Sequence, residues 1–389
     1  MKKEIIKNLE ITDTAYGGAG VGRSESGQVI FVQKTVEGDI VEAEIFDDKK
    51  SFAFARLIKI VKPSHLRVKP LCSAADICGG CSFAHIDYEA QKNIKKHIVL
   101  NQFRKYKHNM PEIKIVESSS KEYRLRATAR SRNGKIGFFE HGTNKLVMAE
   151  KCPVIKESLY KKMKEFAEIN NLSGEIYAIE NDEGLSLADI RAESIDYKHI
   201  GSFEGVCINN KKYGCSNIAF NTAYGAVQVT HKSFFQANRY LLNDFQEYAS
   251  SLVSNSLDIV ELYAGSGFFT CALIAKGRVE ACEYEQVSAN LGRQSGYNIK
   301  ISDSGIFLSK IKKCDCIFLD PPRNGADKKV IEHIKRLHPY EIIYVSCNPI
   351  TLARDIIRLE EKYKITDFTL YDMYPDTYHI ESVVRLQRI

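Results

Sequence analysis

No long apolar run interrupts this chain: none approaches the ~18 residues that a membrane-crossing helix needs, so no membrane partner is expected. Its first ten residues, Met1-Lys-Lys-Glu-Ile-Ile-Lys-Asn-Leu-Glu10, carry lysines but no apolar core of the kind a secretory signal has; a cytoplasmic protein is the expectation. Internal repeats and low-complexity segments are missing too. Neither sign of charge dominates, with 55 Lys and Arg against 49 Asp and Glu, a net +6. An excess that small permits a polyanionic partner without requiring one. Phosphate-loop residues are absent, and Glu261-Leu-Tyr-Ala-Gly-Ser-Gly267 lacks the full spacing of a dinucleotide fingerprint.

What is present fits a globular protein of two or three domains: 389 residues, 44% hydrophobic and 27% charged. Eleven cysteines in a reducing compartment point to metal or catalysis more readily than to disulfides. Residues 1–62 read as a small β module. Gly17, Gly18, Gly20 and Gly22 suit turns and bulges of a barrel, and the alternation in Asp39-Ile-Val-Glu-Ala-Glu-Ile-Phe46 suits half-exposed strands. Such barrels commonly bind nucleic acid on a strand face.

Residues 63–230 form a second segment. Cys72, Cys78 and Cys81 make a C-x5-C-x2-C cluster, and Cys152 precedes Pro153. Four such thiols suit an iron–sulfur cluster; structural zinc is the competitor, although only one C-x2-C pair exists here. A helix is expected over 87–110. Arg124, Arg126, Arg130 and Arg132 then recur at period two on one strand face, ahead of Gly137-Phe138-Phe139, and combine charge with stacking surface as RNA-binding sheets do. The plain alternative is a solvated strand face.

From residue 231 to 389 strands and helices alternate, which predicts a largely parallel sheet. The glycine turn around Gly265 lets a ligand approach the backbone, and Glu283, closing the next strand, suits a grip on ribose hydroxyls. Cys316-Ile-Phe-Leu-Asp-Pro-Pro-Arg323 and Ile343-Ile-Tyr-Val-Ser-Cys-Asn-Pro349 each deliver a side chain, Asp320 or Cys347, at a strand's carboxyl end. Open α/β sheets bind ligands at that edge.

Leu319-Asp-Pro-Pro-Arg-Asn-Gly325, Ser346-Cys-Asn-Pro349 with Thr351-Leu-Ala-Arg-Asp355, His379-Ile-Glu-Ser-Val383 and Ser233-Phe-Phe-Gln-Ala-Asn238 together resemble the uridine-5 RNA methyltransferase family, over nearly the whole chain. The resemblance implies a TRAM barrel, a central α+β iron–sulfur domain and a Rossmann-like domain for S-adenosylmethionine. It implies Cys347 as the nucleophile that adds to carbon 6 of uracil, and Glu381 as the base that removes the carbon 5 proton. It places Gln236, Tyr263, Glu283, Asp303 and Asp320 at the cofactor, with Phe268 standing where relatives often carry a small polar residue. The cluster on Cys72, Cys78, Cys81 and Cys152 is a 4Fe-4S cluster on this reading. A monomer acting on 23S rRNA is implied, with a transfer-RNA uridine, cytosine methylation and a catalytically silent RNA-binding factor as rivals. Arg124, Arg126, Arg130 and Phe138 are the expected RNA contacts.

Overall fold

A computed structural model describes residues 4–254 and 257–389. Two compact units interleave along the chain. One comprises Met1–Asn101, Phe138–Ala149 and Tyr374–His379; the other comprises Gln102–Gly137, Glu150–Met373 and Ile380–Ile389.

In the first unit, strands Ile5–Thr14, Gly20–Arg23, Val29–Val32, Ile40–Asp48 and Phe52–Lys62 close a barrel. Alternate residues point inward, so Leu9, Ile11, Ile30, Val32, Val41, Ala43, Ala53 and Ala55 form its core. The core is narrow, and a Cβ at Gly20 would stand only 2.1 Å from the Thr35 hydroxyl. Gly17 and Gly18 take φ of +111° and +84° in the preceding turn, as turn glycines should. The helix Tyr88–Gln102 follows, with Gln91 donating to the carbonyls of Phe83 and Ile86 at 3.2 and 3.0 Å. It ends earlier than its sequence pattern predicts. Phe103 leaves to pack against Phe368, and the Tyr106 hydroxyl accepts the Ile365 N–H at 2.8 Å.

Among its described residues the second unit holds two large sheets and the two-stranded hairpin Asn217–Thr222 and Gly225–Thr230. In one, Arg126–Arg132 pairs antiparallel with Ser173–Glu180, which pairs onward with Ser186–Ser194. The other has eight strands in the order Ile299–Ile301, Gly277–Glu283, Leu257–Leu262, Cys316–Leu319, Glu341–Ser346, Glu381–Arg388, Tyr363–Tyr371 and Lys114–Val116. The first five run parallel, as the alternating pattern predicts. Strand order reverses between Leu257–Leu262 and Cys316–Leu319, which opens a crevice at their carboxyl ends. The terminal strand Glu381–Arg388 is internal to the sheet, antiparallel to both neighbours. It is buried on both faces, and only 6% of Glu381 is exposed. No helix among the described residues is long and apolar enough to cross a membrane.

Candidate active site

Glu341–Ser346 is buried along its whole length, as a strand covered on both faces should be. Cys347 follows it. Asn348 then caps the helix Pro349–Leu359, its side chain accepting the Ile350 N–H at 3.0 Å, with Pro349 in the first turn. The cap fixes the turn from the far side and leaves Cys347 half-buried and outside any disulfide.

Strand register decides what Cys347 meets. Ser346 pairs with Ser382, so one step further out along both strands stand Cys347 and Glu381. Leu319 pairs with Tyr344, so Asp320 leaves its own strand at the same edge. Burial pushes the Cys347 thiol up to about 12; Glu381 and Asp320 push the same way, and Arg323 opposes them. Glu381 is held well above the carboxylate range by burial first and Asp320 second, against Arg323 and Arg126. Asp320 is raised to about 7 by burial and by Glu283. At rest, then, the edge carries a neutral thiol and a protonated acid.

The loop after Asp320 is braced by the helix that follows Cys347. The Asp355 carboxylate accepts the Ala326 N–H at 2.8 Å and the Tyr344 hydroxyl at 2.9 Å, while Arg354 donates to the Asn324 carbonyl at 2.9 Å. Asn348 and Thr351 donate to the Arg323 carbonyl at 2.9 and 3.2 Å. Gly325 sits in this brace at φ +74°, and a Cβ there would fall 2.5 Å from Asp355 Oδ2. Thr351-Leu-Ala-Arg-Asp355 is thus a clamp on the neighbouring loop, a role its sequence does not announce.

Across the crevice, Glu283 accepts the N–H of Gly265 at 2.9 Å and of Glu285 at 2.7 Å. Tyr263 adopts φ +62° ahead of that turn, unusual for a residue with a side chain, and strain of this kind collects at functional sites. A Cβ on Gly265 would meet nothing within 4 Å, so the turn faces open space. Asp303 caps the helix Ser304–Lys310 by accepting the Ile306 N–H at 3.0 Å. Gln236 is buried, two residues before Asn238, which anchors the segment by donating to Ser118 Oγ at 2.8 Å and the Met373 carbonyl at 3.2 Å. Phe268 is buried edge-on against Phe235, and its ring brings no polar group where relatives often carry one.

Sequence reasoning missed Glu261. Fully buried at the end of its strand, it accepts the Thr270 hydroxyl at 2.6 Å on one oxygen, while the other has no partner. Burial raises it to about 8, Thr270 opposing and Asp320 and Glu283 adding to the rise. A lone acid opening a glycine motif was the available signal.

The expected arginine stripe divides. Arg126 lies over the exposed ring of Phe234, its guanidinium carbon 4.5 Å from the ring centre, and it faces Glu381. Arg130 is held by Glu175 at 3.2 Å and Glu193 at 3.6 Å. Arg124 spans no regular strand; its side chain lies against Tyr123. Phe138 belongs to the first unit, where it lines a shallow cleft of about 470 Å³ with Gly79 and Gly80.

Cys72, Cys78 and Cys81 share a loop of the first unit; Cys152 belongs to the second. All four are half-buried and outside any disulfide. The Gly80 N–H donates to Cys78 Sγ at 3.4 Å, and the Lys34 ammonium donates to the carbonyls of Ala75, Cys78 and Cys81 at 2.7, 3.1 and 2.9 Å. Among the described residues no three His, Cys, Asp or Glu side chains converge on a single-ion site.

Comparison with known proteins decides the family. Residues 303–389 match the tRNA (Uracil-5-)-methyltransferase family, and residues 6–58 match the TRAM domain. An RNA methyltransferase of Prochlorococcus marinus is 30% identical, over 88% of this chain and 96% of its own length. This chain belongs to the RNA (uracil-5-)-methyltransferase family. A 23S rRNA (uracil(1939)-C(5))-methyltransferase of Shewanella halifaxensis is 28% identical over 97% of this chain and 94% of its own length. The fold of this RNA methyltransferase is that of the Pyrococcus abyssi tRNA (uracil-54, C5)-methyltransferase, solved with S-adenosyl-L-homocysteine. The TM-score is 0.78 at 22% identity, covering 98% and 99% of the two chains.

Proposed function

We propose that this enzyme transfers a methyl group from S-adenosylmethionine to carbon 5 of a uracil in structured RNA, with 23S rRNA as the substrate. The observation that carries the reading is the strand register that sets Cys347 beside Glu381 at the edge where Asp320 emerges. The Shewanella relative supports 23S rRNA; the shared fold of the Pyrococcus enzyme keeps a transfer-RNA uridine as the rival.

Carbon 5 of uracil is a weak nucleophile. Sulfur addition at carbon 6 turns the ring into an enolate whose carbon 5 can attack a methyl donor, and cysteine is soft enough both to add and to leave. Cys347 supplies that sulfur. Its thiol proton must go to a neighbour first, because burial and two carboxyls disfavour the thiolate. Glu381, once ionised, accepts the carbon 5 proton and frees the sulfur by elimination. Arg323 and Arg126 favour that ionised form. Since the target atoms are hidden in a stacked strand, the uracil must be extruded; the Arg126–Phe234 ledge beside Glu381 offers it a face.

S-adenosylmethionine supplies an electrophilic methyl group when bound. The open face of the Gly265 turn and the Glu283 carboxylate fit its nucleoside part, and Gln236, Tyr263, Asp303 and Asp320 complete the proposed lining. We also propose a 4Fe-4S cluster on the cysteine loop, for which the residue types speak. Three cysteines outside any disulfide share a loop with an amide-to-sulfur bond and a facing ammonium, and Cys152 is the fourth ligand on the resemblance. Its contribution is to order the loop.

Replacing Cys347 with Ala should abolish 5-methyluridine formation in both rRNA and transfer RNA while leaving the melting temperature unchanged. Retained turnover would overturn the mechanism; nucleoside mass spectrometry of the two RNA pools decides between the substrates.

A further inference from the structure

Lys34 is built into the cysteine loop more firmly than a surface lysine has reason to be. It follows the barrel strand Val29–Val32 at φ +63°, a left-handed conformation uncommon for a residue with a side chain. Its carbonyl accepts from Arg67 Nη2 at 2.8 Å. Arg67 is itself fixed by a two-pronged grip on Asp39, both bonds at 2.7 Å, and Asp39 also accepts the N–H groups of Val36 and Ser64 at 2.9 Å each. The backbone is therefore locked before the side chain enters the loop.

The ammonium then places its three protons on three loop carbonyls, those of Ala75, Cys78 and Cys81. Those acceptors are neutral, so they satisfy the hydrogen bonds but not the charge. The acidic groups that face the charge are Cys81, Cys78, Asp76 and Cys72, which is to say the three thiols of the loop and one carboxylate. A part-buried cation is costly unless an anion answers it. Asp76 is the one carboxylate among these groups, and metal-bound thiolates would add three more negative groups around the ammonium that already holds their loop.

We infer that Lys34, carried by the barrel, completes the cofactor site of the cysteine loop: it clamps the loop that carries Cys72, Cys78 and Cys81 and supplies the cation that offsets an anionic thiolate-bound iron–sulfur cluster. The inference rests on the cluster reading above. It makes the barrel a working part of the site, because the residue that orders the cysteine loop hangs from the barrel wall. It also gives the buried Arg67–Asp39 pair a purpose beyond barrel stability, that of aiming Lys34.

The full-length protein is reconstituted anaerobically with iron and sulfide as wild type, Lys34→Met and Lys34→Gln; the glutamine keeps hydrogen-bond donors but not the charge. Iron and sulfide per chain, the rate of cluster loss to a chelator, the reduction midpoint and the melting temperature are measured. Both variants should lose the cluster roughly 10-fold faster or more, the usual cost of removing a partner that orients ligands. In the clusters that remain the midpoint should move to more negative potential, since reduction adds negative charge that no longer faces a cation. A merely structural lysine would lower the melting temperature and leave the midpoint where it was. An unshifted midpoint with wild-type retention in Lys34→Gln overturns the inference while leaving the cluster reading intact. Wild-type protein that takes up no iron and sulfide overturns the cluster reading, and the inference falls with it.

Discussion

Asp320→Asn should free the Cys347 thiol, but only in one pH range. The thiol stands at about 12 against an ordinary value of 9.0, a rise worth ~4 kcal/mol against thiolate formation before solvent screening is discounted. Asp320 ranks third among the causes that raise it, behind burial and Glu381. Its share is the smallest of the three, so the substitution should raise the thiolate fraction several-fold without restoring an ordinary thiol. The sign depends on whether Asp320 is charged. Asp320 ionises at about 7; below that it is already neutral and an amide changes little. Above it, the amide removes a negative charge that repels the forming thiolate. The assay is alkylation of Cys347 by iodoacetamide in the free enzyme, followed by peptide mass spectrometry, with rates compared between variant and wild type across neutral pH. The ratio should be near one at pH 6 and climb through pH 7 to a plateau several-fold higher. A flat ratio, or one below unity at pH 8, would refute the electrostatic account of this edge.

Glu381→Gln should stop turnover after methyl transfer, so that a covalent protein–RNA adduct resistant to denaturing electrophoresis accumulates; loss of activity without adduct would assign Glu381 an earlier role. Glu261→Gln should stabilise the protein selectively at high pH. An acid raised from 4.5 to about 8 binds its proton more tightly folded than unfolded, so stability falls as pH climbs through that window. The substitution removes a penalty of up to ~5 kcal/mol, and its melting curves should diverge from wild type between pH 5 and 9; parallel curves would argue that Glu261 is not neutral at rest. Gly325→Ala, forced into a φ of +74° and against Asp355, should cost about 1–2 kcal/mol or more in chemical denaturation and lower activity with it. An unaffected midpoint would mean the loop is not braced as described.

The barrel and the α/β sheet were legible because both write their periods into local sequence: alternation in residues 40–46, and apolar runs closed by Glu283, Asp320 and Cys347. The motifs likewise named side chains that the strand register brings to one sheet edge: Cys347, Glu381 and Asp320. What escaped local reading depends on partners far away in the chain. Arg130 keeps perfect period-two spacing with Arg126, yet it stands directly opposite Glu175 on the adjacent strand and forms an ion pair there. Glu381 opens a strand whose neighbours lie on either side of it only after the sheet forms. The helix over 87–110 loses its last third because Phe103 and Tyr106 find partners at Phe368 and Ile365. In each case a contact across more than thirty residues outweighs a local preference, and no pattern within a window of fifteen can show it.

The resting charge state of the edge has a chemical logic of its own. A free thiolate in this crevice would be exposed to oxidants and stray electrophiles between turnovers. Burial, Glu381 and Asp320 together keep Cys347 protonated instead. The same burial keeps Glu381 and Glu261 above the carboxylate range, and each feels Asp320, so that charging one group opposes charging the next. Arg323 and Arg126 are the cations that act on Glu381, and neither suffices to ionise it at rest. A positively charged cosubstrate would favour the ionised form of every acid there at once. Nucleophile and base would then become competent when a methyl donor is present and stay dormant when it is not. This coupling needs no moving part. It follows from placing a thiol, two carboxyls and a buried glutamate where three strands end.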